Sequence, residues 1–158
     1  ADFLPRLKED RVLYALLERV TDEAPEAMVE EQEQDLLQEF FQQLQRSGQT
    51  YDAYLKANNL TAAQVKDDIN QQAAEVVKQN LALDAWARHF EIACEDCDVQ
   101  AEFIKASADE WESLYNSWKQ AGRLHLVREG VLRSKAMNAA VEGAVVTEIP
   151  FGETADAE

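Results

Sequence analysis

The spacing of apolar positions predicts a chain built from helices. Apolar residues recur at intervals of three, four and seven over most of the sequence, which is the period of one buried helix face. No segment before the last few residues has the strict alternation of a half-buried strand. Ala, Gln, Leu, Glu and Lys are abundant and cost little in a helix. The pattern therefore predicts an all-α fold.

Helix signals divide the first sixty residues into three segments. A first helix is predicted over residues 5–20, with a proline at its first turn. A second helix is predicted over residues 25–47 and ends at Gly48, the natural left-handed residue. Residues 50–58 are predicted to form a short helix, for which Thr50 is the N-cap. This short helix is expected to form a corner that joins the second helix to the long helix after it.

The longest helix is predicted over residues 62–91. It begins after a capping box formed by Thr61 and Gln64, and neither Pro nor Gly interrupts it. After a segment that holds both cysteines, a further short helix is predicted over residues 96–106.

A second capping box is predicted between Ser107 and Glu110. It would begin an aromatic-rich helix that ends at Gly122. The last helix is predicted over residues 123–143.

The polar side of the last helix differs from the rest of the chain. Five basic residues and one acidic residue, Glu129, lie between Lys119 and Lys135. We expect this helix to lie against an acidic neighbour. Val145 and Val146 are expected to follow as an extended segment.

The net charge limits the partners of the chain. Thirty-one acidic and fifteen basic side chains give −16 at neutral pH, which argues against nucleic acid as a direct partner. No apolar run approaches the length of a membrane span, and no secretion signal begins the sequence, so a soluble, cytoplasmic protein without membrane contact is expected. Eight acidic residues and no basic residue lie in residues 20–45, which we interpret as a solvated helix face.

The spacing of Cys94 and Cys97 is compatible with two zinc ligands or with a small disulfide. A structural zinc site needs four ligands, and the other soft candidates are His89 and His125. A thioredoxin-like motif would accompany a βαβ unit, which the pattern does not predict. We therefore interpret the two cysteines as ordinary residues at a helix start.

Other catalytic signals are weak. Carboxylate pairs occur at Glu26 with Glu30 and at Glu31 with Asp35, but neither histidine has the Glu-x-x-His spacing of a di-metal bundle. No nucleophile accompanies the histidines, and there is no glycine-rich phosphate loop. The sequence predicts no catalytic residue, no metal and no cofactor in this chain.

A surplus of large apolar side chains on long helices is the most unusual feature. Helices joined as an arm cannot cover all of their own apolar faces, so part of this set is expected to be open to solvent or to a partner. Such side chains with an acidic rim suit a binder of unfolded chains. The candidate contact residues are Phe40, Phe41, Leu44, Tyr51, Tyr54, Trp86, Phe90, Trp111, Tyr115 and Trp118.

The order of these elements resembles the C-terminal, chain-binding domain of bacterial trigger factor, the ribosome-associated chaperone. The resemblance rests on Ala24-Pro25-Glu26-Ala27-Met28-Val29-Glu30, then Leu36-Leu37 and Gly48. It continues through the Gln-Gln-Ala-Ala-Glu-Val-Val-Lys-Gln-Asn-Leu-Ala-Leu pattern of residues 71–83 and the segment from Trp111 to Ile149. It covers essentially the whole chain.

The resemblance implies a helical body with two protruding helical arms that shields nascent or unfolded polypeptide without ATP. Residues 1–22 would end a linker helix, residues 24–93 would form the arms, residues 95–150 the body and closing segment, and residues 151–158 a flexible tail. Prolyl isomerase activity and ribosome attachment would belong to other domains of a longer parent protein. SurA-like periplasmic chaperones share a related module and rank second within this class.

Two alternatives from other classes stay open. A static helical scaffold or dimerisation domain would use the same apolar faces for one specific partner, and a weak homodimer is compatible with either function. A metal-binding enzyme bundle would require stoichiometric metal. The main prediction is a chaperone module whose partners are unfolded or nascent polypeptides, with the ribosome reached only through another domain.

Overall fold

The computed structural model describes residues 3–145, with side chains described from residue 6 onward. Within that range the chain forms seven helices and no strand, which confirms the all-α prediction. Among the same residues no helix is both long and apolar enough to cross a membrane. The helices are α1 (Phe3–Leu17), α2 (Glu26–Arg46), α3 (Tyr51–Asn58), α4 (Ala62–His89), α5 (Asp96–Ala106), α6 (Trp111–Gln120) and α7 (Leu124–Gly143).

Most helix ends lie where local chemistry predicts them. Gly48 and Gly122 have φ angles of 67° and 69°, the left-handed conformation that ends α2 and α6. The Thr50 hydroxyl accepts a hydrogen bond from the amide of Ala53 at 3.3 Å. At the start of α4, the Thr61 amide donates to Gln64 Oε1 at 2.9 Å and the Gln64 amide donates to Thr61 Oγ1 at 3.2 Å, so the predicted capping box is confirmed.

The second predicted capping box is wrong. Ser107 is the C-cap of α5, in extended conformation, and α6 begins only at Trp111, after a turn. A capping box occurs instead at the start of α5, where the Glu95 amide donates to Asp98 Oδ2 at 2.8 Å. The box at α5 was missed because glutamate is not among the residues that usually cap a helix.

Two further boundaries differ from the prediction. Helix α1 begins at Phe3 rather than residue 5, because first-turn amides need no intrahelical acceptor and a proline fits anywhere in that turn. It ends at Leu17 rather than residue 20, and a turn follows in which the Val20 amide donates to the Leu17 carbonyl at 3.0 Å. Val145 is 96% exposed. Val146, the rest of the predicted closing segment and the predicted tail lie outside the described residues.

The chain divides into two compact units. One unit contains residues 17–85, and the described part of the other contains residues 3–16 and 86–145. In the first unit, a hydrogen bond of 3.0 Å from Asn70 Nδ2 to Glu33 Oε2 joins α4 to α2. Its buried apolar side chains come from those two helices: Leu44, Val65, Ile69, Ala73, Val77, Ala82 and Leu83.

In the second unit, α5, α6 and α7 contact one another. Val99 and Phe103 of α5 are buried there, at 1% and 6% exposure. The small residues Ala136 and Ala140 of α7 are also buried, and residues this small allow helices to approach closely. The subdivision into arms and body stays a prediction.

Candidate functional site

The ten candidate residues differ widely in accessibility. Leu44 is buried at 6% exposure, whereas Phe41 and Phe90 are 45% and 54% exposed. The other seven are half-buried: Phe40, Tyr51, Tyr54, Trp86, Trp111, Tyr115 and Trp118. Eight of the nine rings fall into three groups with measured ring contacts, while Leu44 contributes to the core of its unit.

The first group, which we call the corner cluster, consists of Phe40, Phe41, Tyr51 and Tyr54. Helix α2 supplies the two phenylalanines, and α3, which begins after the Gly48 turn, supplies the two tyrosines. The Phe40 ring is 5.0 Å from the Tyr54 ring and 6.2 Å from the Tyr51 ring, both edge to face. Phe41 is 5.8 Å from both Phe40 and Tyr51. The cluster is therefore a continuous aromatic surface in which no ring is fully buried.

The second group lies at the end of α4. The Trp86 and Phe90 rings are 4.6 Å apart, and His89 contacts Phe90 edge to face at 4.7 Å. Phe90 is more than half exposed. The Trp86 indole N–H is buried and has no hydrogen-bond partner among the described residues, which is an unfavourable state for a donor.

The third group lies between α5 and α6 and includes a residue outside the candidate set. Phe103, at 6% exposure, contacts Tyr115 at 5.6 Å and Trp118 at 5.8 Å, both edge to face. The Lys119 ammonium lies over the Tyr115 ring at 5.9 Å from its centre. Because a buried ring organises this group, it acts mainly as core. The spacing of four between Val99 and Phe103 indicated the buried face.

Some exposed apolar side chains were not among the candidates. Tyr14 of α1 is 63% exposed and Leu126 of α7 is 52% exposed. Ile104 of α5 is 45% exposed, although it is adjacent to the buried Phe103. The periodic pattern does not distinguish these exposed residues from buried ones, because exposure depends on which neighbouring helix covers a face.

The basic side of α7 lies against the acidic start of α5, as predicted. Arg128 Nη2 is 2.6 Å from Asp96 Oδ1, and Lys135 Nζ is 2.5 Å from Asp98 Oδ2. Lys135 also donates to the carbonyl of Ala93 at 3.1 Å. The hydrogen bond from Lys135 holds the pKa of Asp98 below its ordinary value, and the same bond raises the pKa of Lys135. These contacts attach residues 93–98 to α7.

Residues 17–85 also form a small pocket of about 200 Å³. Small-molecule sites usually exceed about 300 Å³, so the pocket has the size of a recess for one side chain. Within the described residues, no group of three or more His, Cys, Asp or Glu side chains is arranged to hold a metal ion. The pocket is lined by Val20, Asp22, Glu23, Ala24, Lys78, Leu81, Ala82 and Ala85.

Comparisons with known proteins agree on one family. Residues 6–142 match the model of the bacterial trigger factor protein (TF) C-terminus. The trigger factor of Thermobifida fusca is 31% identical over 150 residues, covering 90% of this chain and 32% of that protein. The trigger factor of Bacillus subtilis is 31% identical over 138 residues, covering 87% of this chain and 32% of that protein.

A third relative, the trigger factor of Agathobacter rectalis, is 31% identical over 100 residues, covering 63% of this chain and 23% of that protein. No solved structure matches the chain. The chain spans between about a quarter and a third of the length of these relatives. Prolyl isomerase activity belongs to a different domain of the family, which lies outside the matched C-terminal region. Since the family model covers most of the sequence, the chain belongs to the trigger factor family of chaperones and corresponds to its C-terminal region.

Proposed function

We propose that this chain binds unfolded or nascent polypeptide, without ATP, through partly accessible aromatic side chains. The corner cluster is the observation that carries this proposal. Its four rings contact one another at 5.0–6.2 Å, yet Phe41 keeps 45% of its surface exposed. Membership of a chaperone family supports the same function.

The corner cluster has properties that favour binding of many different sequences. Its attraction for apolar side chains is non-directional, so it does not require one partner sequence. Its rings hold each other in edge-to-face contact, which reduces the side-chain freedom lost when a partner binds. Weak binding of varied apolar segments is the expected result.

Charge explains how open rings can coexist with solubility. Residues 17–85 carry fourteen acidic and five basic side chains. Molecules that share this excess of negative charge repel one another, which opposes association through their rings. A client segment without that negative charge approaches the same rings freely.

The Trp86–Phe90 pair offers a second set of accessible rings, in the other unit. This pair offers apolar client segments a further contact of the same non-directional kind. The proposed client contacts are therefore the corner cluster and the Trp86–Phe90 pair. Trp111, Tyr115 and Trp118 are proposed as lesser contributors, since they are half-buried around α5 and α6.

The experiment measures suppression of aggregation of two unrelated unfolded proteins by the wild-type chain, by Phe41→Ser and by Leu126→Ser. Phe41 is a better probe than Phe40, which contacts three rings and supports the cluster. Leu126 is the matched control because it is 52% exposed and is not part of the ring groups. Circular dichroism verifies that all three proteins are equally helical.

We expect wild type and Leu126→Ser to suppress aggregation of both clients and Phe41→Ser to be several-fold weaker. Equal activity of all three proteins would remove the corner cluster from the proposal. Lack of suppression by a folded wild type, together with tight binding of a single partner, would favour the scaffold or dimerisation function instead. Sedimentation over a range of concentrations tests separately for a weak homodimer. Ribosome attachment and prolyl isomerase activity are proposed only for a longer protein containing the other domains of the family.

A further inference from the structure

Two free cysteines, Cys94 just before α5 and Cys97 in the first turn of α5, both lie near Glu95. We propose that Cys94 and Cys97 are a reversible dithiol, which a low-molecular-weight disulfide oxidises to an intramolecular disulfide. We further propose that oxidation opens the capping box at the start of α5. The family assignment plays no part in this proposal, which rests on the geometry of residues 93–98.

Both sulfur atoms lie near Glu95, the N-cap of α5. Cys94 Sγ is 3.7 Å from the Glu95 carbonyl oxygen, and Cys97 Sγ is 3.8 Å from Glu95 Oε2. The two thiols are three residues apart in sequence, and a disulfide between them requires a local rotation of the backbone. Glu95 is in extended conformation, with φ of −90° and ψ of 166°, and is the residue whose rotation would bring the sulfurs together.

The two thiols differ in accessibility, which sets the order of reaction. Cys97 is exposed, whereas Cys94 is half-buried. Burial raises the pKa of the Cys94 thiol, and the Asp98 carboxylate adds to that effect. Because the thiolate is the nucleophile, Cys97 reacts first with a disulfide from solution and Cys94 resolves the product.

The chemistry is thiol–disulfide exchange in two steps. The Cys97 thiolate attacks one sulfur of the small disulfide, forms a mixed disulfide and expels one small thiolate. The Cys94 thiolate then attacks the Cys97 sulfur, forms the intramolecular disulfide and expels the second small thiolate. Two electrons pass from the protein to the small molecule, and the two protons lost by the cysteines are taken up by the two thiolates released.

The location gives oxidation a structural consequence. Glu95 belongs to the capping box, where its amide donates to Asp98 Oδ2 at 2.8 Å. Asp98 in turn binds Lys135 of α7, which also binds the Ala93 carbonyl. A rotation at Glu95 therefore loosens the start of α5 and its attachment to α7.

The absence of a βαβ unit from residues 3–145 does not argue against this proposal. A thioredoxin-like catalyst needs that framework to lower the pKa of its attacking thiol, whereas slow reversible oxidation needs only two thiols within reach. Burial and then the Asp98 carboxylate raise the pKa of Cys94, although Arg128 and Lys135 oppose this effect, and a raised pKa suits a slow switch better than a catalyst.

The first test uses the whole chain in mixtures of reduced and oxidised glutathione, followed by rapid alkylation and mass spectrometry. We expect wild type to lose both alkylatable thiols and two hydrogen atoms, without retaining glutathione. Cys94→Ser should instead accumulate glutathione on Cys97, and faster than Cys97→Ser accumulates it on Cys94. Stable glutathione on wild type, or two free thiols at every ratio of the buffer, would overturn the dithiol proposal.

The second test measures the link to the capping box with a matched pair of variants. Each variant removes one carboxylate and one ion pair with α7, Asp98 with Lys135 and Asp96 with Arg128, but only Asp98→Ala also removes an acceptor of the box. A helix cap is equivalent to roughly a fivefold change in an equilibrium constant. We expect Asp98→Ala to raise the equilibrium constant for forming the disulfide about fivefold over wild type. Asp96→Ala should change the same constant less than twofold. Equal constants in all three proteins would overturn the link between oxidation and the cap.

Discussion

The corner cluster and the α5–α6 group both combine phenylalanine with tyrosine, but they differ in organisation. In the corner cluster four rings contact one another and none is buried. In the α5–α6 group the rings surround Phe103, which is 6% exposed and has Tyr115 and Trp118 edge to face against it. Helix α7 contacts both α5 and α6, so the α5–α6 group lies where three helices pack together. The comparison shows that the surrounding helices, rather than the ring content, determine which aromatic group becomes core.

Charge differs between the same regions. Residues 17–85 carry fourteen acidic and five basic side chains, while residues 86–145 carry ten and seven. In the latter region, basic residues of α7 are paired with carboxylates of α5. The region with the corner cluster is thus the more negatively charged one, and repulsion between copies opposes their association.

The largest expected effect is the loss of the buried ring. Phe103→Ala should destabilise residues 86–145 by about 3–5 kcal/mol, because it leaves a cavity between α5 and α6. Urea unfolding followed by tryptophan fluorescence measures this, since all three tryptophans lie in residues 86–118. Ile104→Ala, at the neighbouring residue with 45% exposure, is the matched control and should cost less than about 1 kcal/mol. Equal costs would mean that Phe103 does not organise the group.

A smaller effect is expected in the corner cluster. Phe41→Ala removes two ring contacts of 5.8 Å from a half-exposed side chain and should cost about 1 kcal/mol. Leu44→Ala, in the same helix but at a buried residue, should cost about 2–5 kcal/mol. Hydrogen exchange of residues 17–85 measures the loss of stability in both variants. A loss for Phe41→Ala as large as that for Leu44→Ala would show that the corner cluster is core, and the contrast between the two aromatic groups would disappear.

Local chemistry was sufficient to predict much of the fold from the sequence. The left-handed glycines, Gly48 and Gly122, and the capping box of Thr61 with Gln64 were correct because each depends on residues within one turn. The all-α class follows from the apolar period. The attraction of basic α7 to an acidic neighbour was also predictable, because a charged helix face requires counter-charges.

Burial of individual candidates was not predictable, because it depends on contacts between distant segments. Leu44 and Phe41 belong to the same periodic face of α2, yet one is buried and the other is 45% exposed. The capping box between Ser107 and Glu110 failed for a similar reason, since Ser107 ends α5 instead of beginning α6. A sequence motif identifies a possible cap but does not identify the helix that uses it.

Two residues with positive φ allow a further comparison of the units. Glu91, after α4, has φ of 52°, and Asn59, after α3, has φ of 54°. Asparagine tolerates this conformation better than glutamate does. Glu91→Gly should therefore stabilise residues 86–145 by about 0.5–1 kcal/mol, whereas Asn59→Gly should change the stability of residues 17–85 by only a few tenths of a kcal/mol. Thermal unfolding and hydrogen exchange measure the two gains. A larger gain at Asn59 would contradict the expectation.

The smallest effect concerns the pH dependence of the α5–α7 attachment. The hydrogen bond from Lys135, followed by that from the Glu95 amide, lowers the pKa of Asp98, and the bond to Asp98 raises the pKa of Lys135. A lowered carboxyl pKa stabilises the fold above the ordinary aspartate value, and this stabilisation is lost as the pH falls through the folded value. A raised lysine pKa stabilises below the ordinary lysine value and is lost as the pH rises through the folded value. Full stabilisation is therefore expected between about pH 4 and pH 10.

Lys135→Met tests this attachment because it removes the ammonium and keeps the apolar stem. The variant should be less stable than wild type at neutral pH, and its stability should fall less steeply at acid pH, although the Glu95 amide still lowers the pKa of Asp98. Lys119→Met is the control, because it also removes an ammonium group, but one that lies over the Tyr115 ring and not beside Asp98. Urea unfolding at a series of pH values, followed by tryptophan fluorescence, measures how steeply the free energy of unfolding changes with pH in each protein. An acid slope in Lys135→Met as steep as that of wild type would show that the ion pair does not contribute to holding α5 on α7.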